Sequence, residues 1–248
     1  GNYNVVDLKK LLNDIGTKKN KVIYPELDQL TSSTRPYFNS CLDALEEYNL
    51  RKLEKAIYDV ALELGAVYVI HKFMVPFIKH IGRLWKNNKI SKSQERFANA
   101  VIRNYLENYR SSFKSHNPDS PSILVATPKG QKAELGCLVN ACIAVSTGWN
   151  PIYLGVDLDS ADIIEAAKSS KCVALISSIL FPLDDPIVID EMKKIRKGLG
   201  NGFEIVINGK KSSVYSSHFD KIFSHQVYDL FSLPNTLEDI KSSIMKVS

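Results

Sequence analysis

The chain changes its hydrophobic period once, and this change limits the folds that are open to it. Up to about residue 110, apolar side chains recur every three or four positions, as on the buried face of a helix. After about residue 122, short β-rich runs alternate with helical ones. Residues 111–121 carry turn-forming and helix-breaking residues without a period, which predicts a linker. The sequence therefore predicts an all-α domain at 36–110 and an α/β domain at 122–248.

The first domain contains four segments with helical periodicity. The second segment ends at Gly65, where a helix commonly stops, and the long third segment contains Pro76, which should kink it. Ser91 and Gln94 have the spacing of a capping box at the start of the fourth segment. Because the connections are short, neighbouring helices should pack antiparallel as a four-helix bundle.

The second domain alternates strands with helices of crossover length. We predict strands at 123–127, 152–155, 172–179 and 204–208, with a weaker fifth strand within 221–233. Helices fit at 134–146, 161–169, 187–197 and 236–245. This alternation predicts an α/β fold, a five-stranded doubly wound parallel sheet in the flavodoxin-like order. Its ligand crevice should lie beyond the carboxyl ends of the strands.

Composition and motifs exclude several classes of function. The net charge of +5 comes from 32 basic and 27 acidic residues, and no basic stripe for nucleic acid is present. The four cysteines form no C-x-x-C pair, and the chain has neither a signal peptide nor an apolar run of membrane-spanning length, which favours a cytoplasmic protein. No Walker loop or Ser-His-Asp order occurs, so we expect no enzyme activity of its own. Four aspartates in crevice-side loops would hold Mg²⁺ if they converged, although turn chemistry is the commoner explanation: Asp157, Asp159, Asp184 and Asp185.

Two segments carry a resemblance to a known family. Trp85, then nine residues, then Glu95 and Arg96 resemble a bundle signature in which the family has Trp, nine residues and Glu-His. The segment 125–136 resembles the loop that carries the family's lower-ligand histidine, and 148–155 resembles the stretch that follows. On these residues the chain resembles the C-terminal sensory region of MerR-family transcription regulators, in which a helical bundle and a flavodoxin-like domain bind cobalamin.

The resemblance spans residues 37 to about 240 and implies a ligand cleft of the cobalamin type. Ser178 and Leu180 stand where the family has Ser-x-Leu, and Asn208-Gly209 where it has Gly-Gly. The cleft residues implied by the resemblance are Trp85, Glu95, Arg96, Lys132, Ala133, Glu134, Gly136, Ser178, Leu180, Asn208 and Gly209. Two alternatives stay open: Trp85 belongs either to the core or to the ligand face, and Arg96 either to the surface or opposite Glu134 across the cleft.

The residues on the metal axis depart from the family pattern. Ala133 stands in the position of the lower-ligand histidine, and a methyl group cannot coordinate cobalt. Arg96 stands in the position of the second histidine, and a guanidinium has no lone pair to offer. The resemblance thus implies cobalamin as cofactor in a degenerate site, with no metal ligand from the chain.

The resemblance also implies partners. Residues 1–35 resemble the tail of a MerR-type DNA-binding domain, so DNA would be bound through an N-terminal domain not present in this chain. The main hypothesis is a ligand-sensing and oligomerisation region that forms homo-oligomers and does not contact membranes. The alternatives are a corrinoid-carrying subunit of a methyltransferase and a binding module for another tetrapyrrole-like ligand.

Overall fold

A computed structural model of the chain describes residues 27–112, 120–179, 185–209, 216–222 and 224–247. The first 26 positions of the predicted tail and most of the predicted linker lie outside the described residues. No helix in these ranges is long and apolar enough to cross a membrane.

The first domain is the predicted helical bundle. Its helices follow the predicted order, but the first one begins at Leu27, nine residues before the predicted start of the domain at residue 36. The elements are α1 (Leu27–Glu46), α2 (Leu50–Leu64), the rod formed by α3 (Ala66–Val69), a π-helical turn (Ile70–Met74) and α4 (Val75–Lys86), and then α5 (Lys92–Ser112).

Local sequence explains where the bundle helices begin and end. Asn49 precedes α2 and its side chain accepts a hydrogen bond from the backbone N–H of Lys52 at 3.0 Å. Gly65 follows α2 with φ of 77°, a conformation that other residues rarely adopt. At the start of α5, Gln94 Oε1 accepts from the N–H of Ser91 (2.8 Å) and the N–H of Gln94 donates to Ser91 Oγ (3.1 Å). The capping box is therefore confirmed.

The rod is irregular just before Pro76. The π-helical turn Ile70–Met74 ends there, and the backbone N–H of Val75 donates to the carbonyl of Ile70. Proline has no N–H to return to the preceding turn, so this region cannot keep the regular α-helical ladder. The disturbance expected at Pro76 takes the form of a π-helical turn.

The second domain is the predicted parallel sheet with helices between its strands. The strand order β2-β1-β3-β4-β5 is the flavodoxin-like order, and every neighbouring pair is parallel. The strands are β1 (Ser122–Pro128), β2 (Asn150–Leu158), β3 (Ala174–Ser178), β4 (Glu204–Asn208) and β5 (His225–Val227). The helices are α6 (Glu134–Ser146), α7 (Ser160–Ser169), α8 (Pro186–Leu199), α9 (Ser216–Asp220) and α10 (Leu233–Val247).

One hydrophobic core runs from the bundle into the α/β domain. It joins the bundle helices to α6 and to one face of the sheet, while a second cluster covers the other face. At the junction, the thiol of Cys142 in α6 donates to the carbonyl of Leu106 in α5 at 3.3 Å. The contact between α5 and α6 therefore fixes how the two domains meet, and this positions the site described next.

Candidate functional site

A large cavity opens where the bundle meets the α/β domain, and we call it the cleft. Its volume is about 870 Å³, which lies near the upper end of the range for ligand pockets. Its wall is supplied by α4 and α5 of the bundle, by the loop and first turns of α6, and by Leu230 before α10. A cavity of this size at a domain boundary is a common place for a ligand to bind.

The bundle wall of the cleft presents an apolar surface with an exposed aromatic ring. Val75, Ile78, Gly82 and Trp85 of α4 line the cavity at helical spacing. Trp85 is 45% exposed, whereas the other tryptophan, Trp149, is fully buried. The structure therefore places Trp85 on the cavity wall and not in the core.

The polar part of the bundle wall comes from one face of α5. Lys92, Arg96, Asn99 and Arg103 follow one another at spacings of four, three and four residues, so they share a face. Glu95 lies beside them; its carboxylate accepts a hydrogen bond from the amide of Asn99 and lies 3.9 Å from Nε of Arg96. These side chains give the rim of the cleft a cationic character.

The α/β wall is formed by the loop after β1 and the start of α6. Ala133 is the residue before α6, with φ of −81° and ψ of 75°, and no side chain caps the helix there. A buried hydrogen bond stabilises this loop, since Thr127 Oγ1 donates to the carbonyl of Gln131 at 2.7 Å. Lys132, Glu134 and Gly136 also line the cleft.

Charged groups on the α/β wall are already paired. Glu134 forms an ion pair with Arg103 of α5, which crosses from one domain to the other. Arg96 and Glu134 line the same cleft, but the ion pair with Glu134 is formed by Arg103, and the carboxylate beside Arg96 is that of Glu95. Lys132 Nζ lies 3.4 Å from Asp157 Oδ2, and the Gly130 N–H donates to Asp157 Oδ1 at 2.8 Å. The Gly130 hydrogen bond, with help from Lys132, lowers the pKa of Asp157 below its ordinary value.

Three of the cations were missed by the sequence analysis. Lys79, Lys92 and Arg103 line the cleft together with Arg96 and Lys132. Five cations face two carboxylates, Glu95 and Glu134, so the lining carries an excess of three positive charges. The helical spacing of the α5 residues was a signal that would have found two of the missed cations.

Three predicted cleft residues lie elsewhere, at the carboxyl ends of β3 and β4. Ser178 and Asn208 are buried, and Ser178 Oγ donates to Asn208 Oδ1 at 2.7 Å. The amide of Asn140 in α6 donates to Ser178 Oγ at 3.0 Å and to Asn208 Oδ1 at 3.2 Å. Gly209 is buried next to them, and its N–H donates to the carbonyl of Val227. Ser178, Asn208 and Gly209 are not among the residues that line this cavity, and the side chains of Ser178 and Asn208 bond to each other and to Asn140 inside the fold. Leu180 lies outside the described residues.

The three crevice-loop aspartates that the structure describes, Asp157, Asp159 and Asp185, do not converge on a metal site. Asp159 pairs with Lys129 (2.8 Å), and Asp185 accepts from the N–H of Ile187 at the start of α8 (3.0 Å). Within the described ranges, no group of three or more His, Cys, Asp or Glu residues could hold a metal ion. Asp184 lies outside those ranges, and all four cysteines are free and buried.

The cleft suits the body of a flat macrocycle better than its metal. The exposed ring of Trp85 and the apolar side chains of α4 offer a face on which a planar ring packs. The described lining contains no His, Cys or Met, and Glu134 is engaged by Arg103. On the α/β wall, the lining residue just before α6 is Ala133, whose methyl group cannot coordinate a metal.

Comparison with known proteins relates the chain to corrinoid proteins. Residues 37–109 match the family model described as B12 binding domain. The fold resembles a Methanosarcina barkeri monomethylamine corrinoid protein, with TM-score 0.62, 16% identity, and coverage of 87% of this chain and 100% of that chain. Comparison with curated proteins gives no match.

Two further solved structures are more distant. The methanol:cobalamin methyltransferase complex MtaBC from Methanosarcina barkeri has TM-score 0.42 and 14% identity, with coverage of 98% and 94% of the two chains. A cobalamin-binding protein from Desulfitobacterium hafniense DCB-2 has TM-score 0.40 and 14% identity, with coverage of 83% and 97%. Residues 37–109 of the bundle therefore match a B12 binding domain, and the fold of 87% of the chain resembles that of the monomethylamine corrinoid protein.

Proposed function

We propose that the chain binds a corrinoid in the cleft, without an axial ligand from its own side chains, and carries it for a partner methyltransferase. The observation that carries the proposal is the exposed ring of Trp85 on the wall of an 870 Å³ cavity, within a bundle that matches a B12 binding domain. The fold likeness to a corrinoid protein supports the same conclusion.

Each wall of the cleft would have its own part in binding. Trp85 and the apolar residues of α4 would pack against one face of the corrin ring. Arg96 and Lys92, at the rim, would donate hydrogen bonds to the amide carbonyls and phosphate of the corrinoid's periphery. When bound, the corrinoid would supply the methyl-group chemistry, and the protein would hold it and shield one face from water.

The absence of a metal-coordinating side chain at position 133 would limit the form in which the corrinoid is bound. Because Ala133 cannot coordinate cobalt, the lower ligand would come from the corrinoid's own base or from water. Affinity would then depend on stacking and on contacts at the rim.

A second candidate function is the sensory region of a MerR-type regulator. It rests on the spacing from Trp85 to Glu95, which resembles the bundle signature of those regulators. The family match and the fold likeness support corrinoid binding but give no support for DNA recognition. The carrier hypothesis is therefore preferred, and another tetrapyrrole is the remaining alternative for the ligand.

The test is retention of cobalamin by the purified protein. The protein is incubated in the dark with hydroxocobalamin, methylcobalamin or adenosylcobalamin, desalted, and its absorption spectrum recorded. We expect corrin absorbance to stay with the protein in a spectrum without a histidine-ligated cobalt. A colourless protein at saturating concentrations of all three would overturn the proposal.

A matched pair of variants locates the binding site. Trp85→Ala should weaken cobalamin binding about tenfold, because one stacked aromatic side chain contributes on the order of 1.5 kcal/mol. Tyr58→Ala removes a ring with 49% exposure that lies away from the cleft, and it should leave binding unchanged. Equal losses in both variants would contradict the assignment of the cleft. A change in oligomer size on illumination of the adenosylcobalamin complex would favour the regulator.

A further inference from the structure

A second cavity lies on the other side of α4, and we call it the rim cavity. Its volume is about 320 Å³, which reaches the lower end of the range for small-molecule pockets. It is bounded by α1, by the rod and by Phe231 of the α/β domain, and it shares only Val75 and Lys79 with the cleft. The function proposed above makes no use of this cavity.

The floor of the rim cavity is apolar and aromatic. It is formed by Phe38, Leu42, Val75, Pro76 and Phe231. The ring of Phe38 packs edge-on against Phe77 with centroids 5.5 Å apart, and it contacts Phe73 of the π-helical turn in the same way at 5.1 Å. These ring contacts fix the floor as a rigid surface that an apolar group can cover.

The mouth of the rim cavity is cationic. Arg35, Lys72, Lys79 and Arg83 line it, and no acidic residue is present among the described residues that form its wall. None of the ion pairs found in the described ranges includes Arg35, Lys72 or Arg83. Lys72 places its ammonium 4.6 Å from the centre of the Tyr68 ring. The cavity thus combines an excess of positive charge with an apolar interior.

The pKa of His80 is lowered by the same partly buried, cationic environment. The side chain lines the cavity and packs edge-on against Phe38 with centroids 5.7 Å apart. Burial lowers the pKa of His80, and the positive charge of Arg83 lowers it further. At neutral pH the imidazole is therefore uncharged, and the guanidinium and ammonium groups provide the positive charge.

We propose that the rim cavity binds a small amphipathic anion, a carboxylate or phosphate joined to an apolar chain. The anionic group would lie at the mouth between Arg35 and Arg83, since guanidinium groups bind planar or tetrahedral oxyanions through paired hydrogen bonds. The apolar chain would cover the floor against Phe38 and Leu42. This site does not depend on corrinoid binding in the cleft.

The test compares ligands of equal chain length and different head groups by isothermal titration calorimetry. Octanoate and octyl phosphate are the anionic probes, and octylammonium and 1-octanol are the cationic and neutral controls. We expect at least tenfold tighter binding of an anionic probe than of either control. The stronger of the two anions identifies the natural head group as carboxylate or phosphate. Binding of all four probes with equal affinity, or of none, would overturn the proposal.

Charge-matched double variants locate the anion. Arg35→Gln with Arg83→Gln should weaken the preferred anion at least tenfold, because both oxyanion donors are lost. Arg51→Gln with Lys89→Gln removes the same net charge from exposed positions outside both cavities and should have less than a twofold effect. Equal weakening in the two double variants would show general surface attraction and refute the site.

A third variant tests the apolar floor. Leu42→Trp fills the cavity and should abolish binding of the anion while circular dichroism shows a folded protein. Cobalamin retention is measured on the same samples, since none of Arg35, Leu42 and Arg83 lines the cleft. Loss of anion binding with cobalamin retention intact supports the rim cavity as a separate site. Anion binding that survives Leu42→Trp would contradict it.

Discussion

The two walls of the cleft differ in what they leave available to a ligand. The bundle wall exposes Trp85 and a row of cations on α5. On the α/β wall, Lys132 is engaged by Asp157, Glu134 is engaged by Arg103, and the position before α6 is the methyl group of Ala133. From this contrast we expect affinity for a flat ligand to come mainly from the bundle, since the described α/β lining of the cleft contains no imidazole or thiolate that could coordinate a metal.

The two domains also differ in the burial of a histidine side chain, and this difference gives the largest expected effect on folding stability. His71 of the bundle is 3% exposed, and burial lowers its pKa to about 4 from an ordinary value of 6.5. His225 of the α/β domain is exposed and lies 2.8 Å from Glu204. Below pH 6.5 the unfolded chain gains a proton at His71 that the folded chain does not, so stability falls as the pH falls toward 4.

We predict that His71 alone costs about 2 kcal/mol of folding stability between pH 7.5 and pH 5. His71→Leu should remove that part of the pH dependence, as measured by urea unfolding at the two pH values. His225→Asn, on the exposed edge strand, is the control and should keep the full loss. If His71→Leu shows the same loss as the unmodified chain, another group is responsible for it.

The second test adds a metal-coordinating side chain to the α/β wall of the cleft. Ala133→His places an imidazole on the cleft wall at the residue before α6, where it would supply the lone pair that a bound cobalt needs from the chain. We expect cobalamin affinity to rise by about 10- to 100-fold, the range by which changes around a metal alter its binding. The visible spectrum should shift to that of histidine-ligated cobalt.

A matched control separates coordination from a general effect of the imidazole. Ala161→His adds the same side chain at an exposed position of α7 outside the cleft and should leave affinity and spectrum unchanged. Tighter binding without a spectral change would mean that the new histidine contacts the corrinoid away from cobalt. In that case Ala133 does not occupy the lower-ligand position.

Much of the fold was predictable because its signals are local. The glycine after α2, the capping box at Ser91 and the alternation of strands with helices each follow from neighbouring residues. The limits of β2 and β3 were less accurate: β2 continues to Leu158 and β3 begins at Ala174. These limits depend on pairing with β1, which is a contact between distant parts of the chain.

The site was only partly predictable for the same reason. From the motif spacing we predicted that Trp85, Glu95 and Ala133 share one cleft, and all three line the cavity. The spacing could not show that Arg103 rather than Arg96 forms the ion pair with Glu134. The buried hydrogen bonds of Ser178 and Asn208 were not predictable either, because their partner, Asn140, is far away in sequence. Side-chain pairing across elements is decided by packing, and a single sequence carries little information about it.

The smallest expected effect concerns the ion pair that joins the two walls. Arg103 and Glu134 are 51% and 37% exposed, so solvent screens their attraction, and exposed pairs contribute about 0–1 kcal/mol to stability. A double-mutant cycle with Arg103→Gln and Glu134→Gln should give a coupling energy below about 1 kcal/mol in urea unfolding. For cobalamin binding we expect the single changes to act in opposite directions: Glu134→Gln releases a cation toward the phosphate of the ligand, whereas Arg103→Gln removes one. A coupling energy well above that limit would mean that this pair, and not the shared core of α5 and α6, holds the walls of the cleft together.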